Sequence, residues 1–210
     1  MIGIVDYGMG NLRSVQKALE RQGETCFLAT QPEEVRKADR IVLPGVGAFE
    51  EAIAALQRSA LDEVLTEKVR QGTPFLGICL GMQMLFERSY ENGVFEGLGW
   101  FPGEVVRFDF SAMPSRRGDE KYSIPHMGWN QVTLEQPNHP FWQGVEPGTF
   151  FYFVHSYYVV PKEVSIVACQ TEYGKRFCSA ITQDNIVATQ FHPEKSQESG
   201  ARLLENFLRI

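Results

Sequence analysis

Apolar residues in the first part of the chain fall in short runs separated by helical spacing. Residues 1–6 (MIGIVD) read as a buried strand. Over 11–22, Leu12, Val15, Ala18 and Leu19 share one helical face, and Asn11 stands where an N-cap would. Residues 24–29 and 40–43 (RIVL) are two further strands. A helical pattern covers 49–70 and breaks near Ser59. Residues 73–78 (TPFLGI) make a fourth strand, which runs into Cys79 and a helix over 80–87. Strands that are apolar throughout and alternate with helices predict an α/β fold: a mostly parallel central sheet flanked by helices on both faces.

The pattern then changes. Residues 100–107, 129–134, 150–160, 164–170, 177–182 and 186–191 read as strands joined by turns, which predicts an antiparallel extension before the chain returns to the main sheet. Ala201, Leu203, Leu204, Phe207 and Leu208 form the apolar stripe of a closing helix over 199–208. The segment 108–122, with Pro114, Arg116, Arg117 and Gly118, is expected to be an exposed, mobile loop. No internal repeat or low-complexity tract interrupts the chain, so residues 1–210 are expected to form a single domain.

Composition narrows the function classes. A 210-residue chain that is 43% hydrophobic can bury one core without disulfide staples. A formal net charge of −6 argues against a nucleic-acid partner, which would demand a basic face. No run approaches the roughly 18 apolar residues of a membrane span, so no membrane partner is expected and the protein is placed in the cytoplasm. Cys26, Cys79, Cys169 and Cys178 show no C-x-x-C spacing. Reduced thiols are therefore expected, with no metal site and no cofactor.

One of those thiols has a chemical setting. Gly77-Ile78-Cys79-Leu80-Gly81 lies between an apolar strand and a helix, the arrangement of a nucleophile elbow with cysteine in the serine position. Side chains at the flanking positions would collide with the adjoining strand and helix, hence the glycines. The turn also brings the sulfur near a helix N-terminus, which favours thiolate, and aims the Leu80 N–H where an oxyanion would form. The plainer reading, a small buried hydrophobe, suits the other three cysteines, which lack this context.

For a base, His192 follows a strand and stands two residues before Glu194, with Pro193 stiffening the link. A surface turn is the alternative for this tripeptide; the cysteine elbow favours a Cys79, His192 and Glu194 triad. His155, in a strand-like run, competes for the role of base. His126 and His139 neighbour prolines and read as turn residues. The Leu43-Pro44-Gly45-Val46-Gly47 loop follows the third strand, and its glycines allow backbone N–H groups to approach a substrate or to reorient. A partial dinucleotide fingerprint, Gly8-Met9-Gly10, lacks its third glycine because position 13 is Arg13; a tight turn explains it more simply.

P-G-V-G at 44–47, G-I-C-L-G-M-Q at 77–83 and F-H-P-E at 191–194 resemble the class I (triad) glutamine amidotransferases. D-Y-G-M-G-N-L at 6–12, P-H-M-G-W-N at 125–130, F-V-H-S-Y at 153–157 and H-P-E-K-S at 192–196 are similar to the glutaminase subunits of imidazole glycerol phosphate synthases, of histidine biosynthesis. The resemblance spans essentially the whole chain and implies one flavodoxin-like amidotransferase domain. It implies that Cys79 attacks the side-chain amide of glutamine, that His192 protonates the departing ammonia and that Glu194 orients His192. Gly45, Val46, Gly47, Leu80, Gln83, Glu91, Ser156 and Tyr157 would form the oxyanion and glutamine site, leaving His155 a structural or pocket-side residue. A (β/α)₈-barrel cyclase subunit would receive the ammonia in a heterodimer, with Asn11, Trp129, Tyr152 and Lys195 near the interface. The glutaminase would be nearly silent until that partner binds its nucleotide. Rival readings are a glutaminase of another synthase, a stand-alone cysteine hydrolase, and a non-catalytic sensor with Cys79 as a redox switch.

Overall fold

Alternation along the first strands sorts the core into two halves. Ile2 and Ile4 pack with Val42, Leu76 and Ile78 on one face of a sheet, while Val5, Ile41, Leu43 and Phe75 pack on the other. The computed structural model describes residues 1–111 and 122–210. Its first half runs β1 (Ile2–Val5), α1 (Leu12–Glu20), β2 (Cys26–Ala29), α2 (Pro32–Arg36), β3 (Arg40–Gly45), α3 (Phe49–Arg58), α4 (Leu61–Arg70), β4 (Phe75–Cys79) and α5 (Leu80–Gln83). Strands β5 (Phe86–Ser89), β6 (Phe95–Glu96), β7 (Phe101–Arg107), β8 (His126–Gln131) and β9 (Thr133–Leu134) follow. The chain ends through β10 (Phe150–His155), β11 (Tyr157–Pro161), β12 (Val167–Tyr173), β13 (Lys175–Gln183), β14 (Ile186–Thr189) and α6 (Gln197–Phe207).

Strands β2, β1, β3, β4 and β14 lie side by side and parallel. From β14 the sheet continues through antiparallel neighbours β13, β11 and β7, so the expected parallel centre with an antiparallel extension is what forms. Phe49, Leu56, Leu61 and Leu65 of α3 and α4 cover one face, and Val15, Leu19, Leu203, Leu204 and Phe207 of α1 and α6 cover the other. The expected helix break falls at Ala60, whose left-handed backbone (φ 53°) separates α3 from α4. No helix among the described residues is long and apolar enough to cross a membrane.

Three local expectations are corrected, and one helix is added. The helix expected over 80–87 stops at Gln83, and Phe86–Ser89 is strand β5. Leu80, Met82, Met84, Leu85 and Phe86 are all buried, so the run has no polar stripe to fix a helical period. The stretch 150–160 is two strands, because the chain changes sheets at Ser156: β10 pairs with β8 in a separate two-stranded sheet, and β11 pairs with β7 and β13. Helix α2 was not anticipated, although Pro32 at its start and a reciprocal Gln31–Glu34 capping box encode it. Of the segment 108–122, residues 112–121, including Pro114, Arg116, Arg117 and Gly118, lie outside the described residues. Phe108 is not exposed: it is buried against Tyr158, His155 and Phe177.

Candidate active site

At the carboxyl end of β4 the chain turns through Cys79 with φ 57° and ψ −110°, a conformation that L-residues seldom adopt. The neighbouring glycines make the turn possible. A Cβ on Gly81 would run into the Leu43 carbonyl, and one on Gly77 would sit 3.0 Å from the Gly81 carbonyl oxygen. Helix α5 after the elbow has only four residues, so its dipole favours thiolate less than a long helix would.

The stronger influence is His192. It is 2% exposed, and its Nδ1 lies 2.8 Å from Glu194 Oε1, a carboxylate buried to the same extent. Its other ring nitrogen, Nε2, has only a loose contact with the Cys79 sulfur and no well-formed hydrogen bond, which leaves it available for chemistry. Burial alone would lower the imidazole pKa; the Cys79 sulfur, and then the Glu194 carboxylate, outweigh it and hold it up at about 10. An imidazolium beside Cys79 is the surrounding that stabilises a thiolate. The turn carrying His192 is fixed from behind. His192 N donates to the Tyr152 carbonyl, Ser196 Oγ to the His192 carbonyl, and Gly200 has no side chain to strike Pro193 as α6 closes over it.

Other titratable candidates are diverted elsewhere. His155 donates from Nδ1 to the Tyr157 carbonyl at 2.7 Å, its Nε2 lies 3.0 Å from His126 Nδ1, and burial lowers its pKa to about 3. It is not the base. His126 is no turn residue but a buried member of β8, stacked between Phe153 and Tyr173. His139 does cap a turn, accepting from Phe141 N. Burial raises the pKa of the Cys169 and Cys178 thiols, and burial followed by Glu20 and Glu24 raises that of Cys26 to about 11. All three are thereby kept poor nucleophiles.

Cys79 and His192 share a cleft of about 310 Å³ with Val46, Gly47, Leu80, Gln83, Glu91, Ser156 and Tyr157. Of the residues expected in the oxyanion and glutamine site, only Gly45 is outside the lining. It lies beneath, where a Cβ would meet Tyr7 Oη at 2.7 Å and Leu80 Cβ at 2.9 Å. Gly47 has φ +99°, open to glycine, and stands over Met9 of the first loop. Gly8 and Gly10 also have positive φ, as a tight turn requires. Glu91 reaches across the cleft to accept the Phe49 N–H that begins α3.

Two contributors escaped the sequence reading although their motifs were in view. Tyr7 donates to the Pro44 carbonyl at 3.0 Å and underpins the oxyanion loop; burial, and next Cys79, raise its pKa. Gln190 is fully buried and directs Nε2 at the Cys79 sulfur, 3.7 Å away. Outside the cleft, Trp129 packs edge-on to Tyr152, and Lys195 Nζ lies 6.0 Å from the Tyr152 ring centre. Asn11 occupies the N-cap position of α1 but its side chain makes no capping bond.

The class-I glutamine amidotransferase family model matches residues 3–210. A protein of Syntrophotalea carbinolica described as imidazole glycerol phosphate synthase subunit HisH is 50% identical over 99% of this chain and 98% of its own length. A Rhodopirellula baltica protein of the same description is 48% identical over 99% of this chain and 96% of its own length. In three dimensions, PurLQS from Thermotoga maritima superposes with a TM-score of 0.73 at 18% identity, covering 99% of this chain and 97% of that one, which supports the fold alone. The elbow cysteine, its buried histidine–glutamate partner and these matches agree: the chain belongs to the class-I glutamine amidotransferases, within them to the family of imidazole glycerol phosphate synthase HisH subunits.

Proposed function

We propose that this chain, as one amidotransferase domain over 1–210, is the glutaminase subunit of an imidazole glycerol phosphate synthase. It hydrolyses glutamine in the cytoplasm and delivers ammonia to a (β/α)₈-barrel cyclase subunit. The observation that carries the reading is the His192–Glu194 pair, 2.8 Å apart, whose histidine shares a cleft with a cysteine on a strained elbow.

In this mechanism the Cys79 thiolate adds to the amide carbon of glutamine, and the oxyanion is met by backbone N–H groups of Leu80 and the Gly45–Val46–Gly47 loop. His192 gives its Nε2 proton to the departing nitrogen, releasing ammonia and leaving a glutamyl thioester. The same step resets the base. Acylation removes the sulfur charge that leads in raising the His192 pKa, so burial regains weight and the imidazole stays neutral. Neutral His192 then takes a proton from water, hydroxide displaces the thiolate, and glutamate leaves. Glu194 holds the ring orientation throughout, and Gln83, Glu91, Ser156 and Tyr157 hold the substrate.

The partner reading rests on the outer face of the β8–β10 hairpin. Met127, Trp129 and Phe150 are 62%, 46% and 49% exposed, and register sets Trp129 beside Tyr152 and Met127 beside Val154. Scattered apolar residues need no explanation, but a contiguous aromatic patch suits a protein interface. Val154 belongs both to this face and to the cleft lining, so a partner seated there would receive ammonia next to its source. Asn11 and Lys195 complete the proposed contact.

Cys79→Ala is expected to abolish glutamate release while copurification with the cyclase persists. Retained glutaminase activity in this variant would remove the mechanism; loss of association with intact folding would place Cys79 in the interface instead.

A further inference from the structure

Among the buried polar side chains that the mechanism leaves unused are His126, His155 and Gln190. They are joined. Asn130 Nδ2 on β8 lies 3.2 Å from His126 Nε2, His126 Nδ1 is 3.0 Å from His155 Nε2, and His155 Nδ1 is 2.7 Å from the Tyr157 carbonyl. That carbonyl also accepts from Gln83 Nε2 at 3.0 Å; Gln83 Nε2 donates to Gln190 Oε1 at 3.0 Å; and Gln190 Nε2 points at Cys79 Sγ.

The direction of every link is determined. A carbonyl only accepts, so His155 carries its proton on Nδ1. Burial keeps that ring neutral, so its Nε2 accepts, and the proton between the rings belongs to His126 Nδ1. His126 Nε2 is then an acceptor for Asn130, whose amide is oriented by its bonds to Gln131 N and the Glu172 carbonyl. At the other end, both Nε2 protons of Gln83 are engaged inward. What Gln83 retains for a ligand is its oxygen, an acceptor for an N–H of glutamine.

We infer that His126, His155 and Gln190 are positioning residues: a hydrogen-bond chain that converges on the Tyr157 carbonyl from His155 and from Gln83, and ties that carbonyl, the Gln83 amide and the Cys79 sulfur to the hairpin bearing the partner face. The coupling to the partner rests on the function proposed above; the chain itself does not. Asn130 flanks Trp129 on β8, so a partner that shifts this strand acts on the first donor of the chain. Loss of the His155 donor loosens the Tyr157 carbonyl that holds Gln83, and loss of Gln190 removes the amide aimed at the sulfur, each a loss in turnover rather than in docking.

The test uses the full chain with its cyclase and nucleotide. His155→Phe keeps the ring in its aromatic surroundings but severs two links; the turnover number for glutamine is expected to fall about 10-fold, with affinity for the cyclase within about twofold of wild type. His155→Asn replaces the donor to the Tyr157 carbonyl and should recover most of that loss. Equal loss in both variants, or wild-type turnover in His155→Phe, overturns the inference. A second measurement needs no variant. Nitrogen NMR of isotope-labelled histidine in the wild-type protein should show His155 and His126 as neutral Nδ1–H tautomers, with His155 unchanged between about pH 5.5 and 8.5. A His155 that titrates in this range, or carries its proton on Nε2, overturns it as well. Failure of the cyclase to stimulate the wild-type protein would strike the partner reading, while the tautomers still report on the chain.

Discussion

Cys79 adopts backbone angles that cost roughly 1–3 kcal/mol, and the sheet around it supplies the stability that holds them. The strain presents the sulfur to the cleft, where His192 answers it with charge. Because the His192 pKa is raised above its ordinary 6.5, the imidazolium persists through neutrality and is lost only as pH climbs toward about 10. Removing either source of the rise should move that loss downward. Alkylation of Cys79, or Glu194→Gln, is expected to lower the His192 pKa seen by NMR; an unmoved pKa would mean that neither group governs it. Glu194→Gln should also slow glutamine hydrolysis by about 10²- to 10⁴-fold, less than Cys79→Ala, since Glu194 orients the base and forms no bond to substrate.

At the level of elements, the site forms because strand ends converge. β3 delivers Gly45, β4 delivers Cys79, and the turn after β14 delivers His192, all at one edge of the parallel strands. Close approach there depends on absent side chains. Gly81→Ala would drive a methyl into the Leu43 carbonyl; we expect it to cost about 1–3 kcal/mol or more in denaturant unfolding, and a stability equal to wild type would show that the elbow can relax. The parallel strands, α1, the α3–α4 break and the elbow were legible in the sequence because period and glycine placement are local signals. Strand β5 was not, because the buried run Leu80–Phe86 that leads into it carries no period. Nor was the change of sheet at Ser156, since two strands in series read as one long strand. His126 read as a turn residue from its proline neighbour, whereas its stacking between Phe153 and Tyr173 is purely tertiary. Gln190 and Tyr7 were visible within motifs, but what they touch lies 111 and 37 residues away along the chain.

The whole molecule combines a reactive cleft with an aromatic face that the described residues leave uncovered. The inner side of the β8–β10 hairpin is core, with Phe151 and Phe153 buried, so its outer side faces away from the core. Trp129→Ala is expected to weaken cyclase binding by about 2 kcal/mol in titration calorimetry while leaving the fold intact; unchanged affinity would move the interface elsewhere. A loop of glycines beside the nucleophile, and a hydrogen-bond chain from the hairpin to that nucleophile, suit an enzyme whose turnover answers to its partner. The most direct measurement is glutamate release from glutamine by this chain alone, with the cyclase, and with the cyclase plus its nucleotide ligand. The account predicts a large rise only in the complete mixture. High release by the chain alone, unaltered by the cyclase, would contradict it and identify a self-sufficient hydrolase.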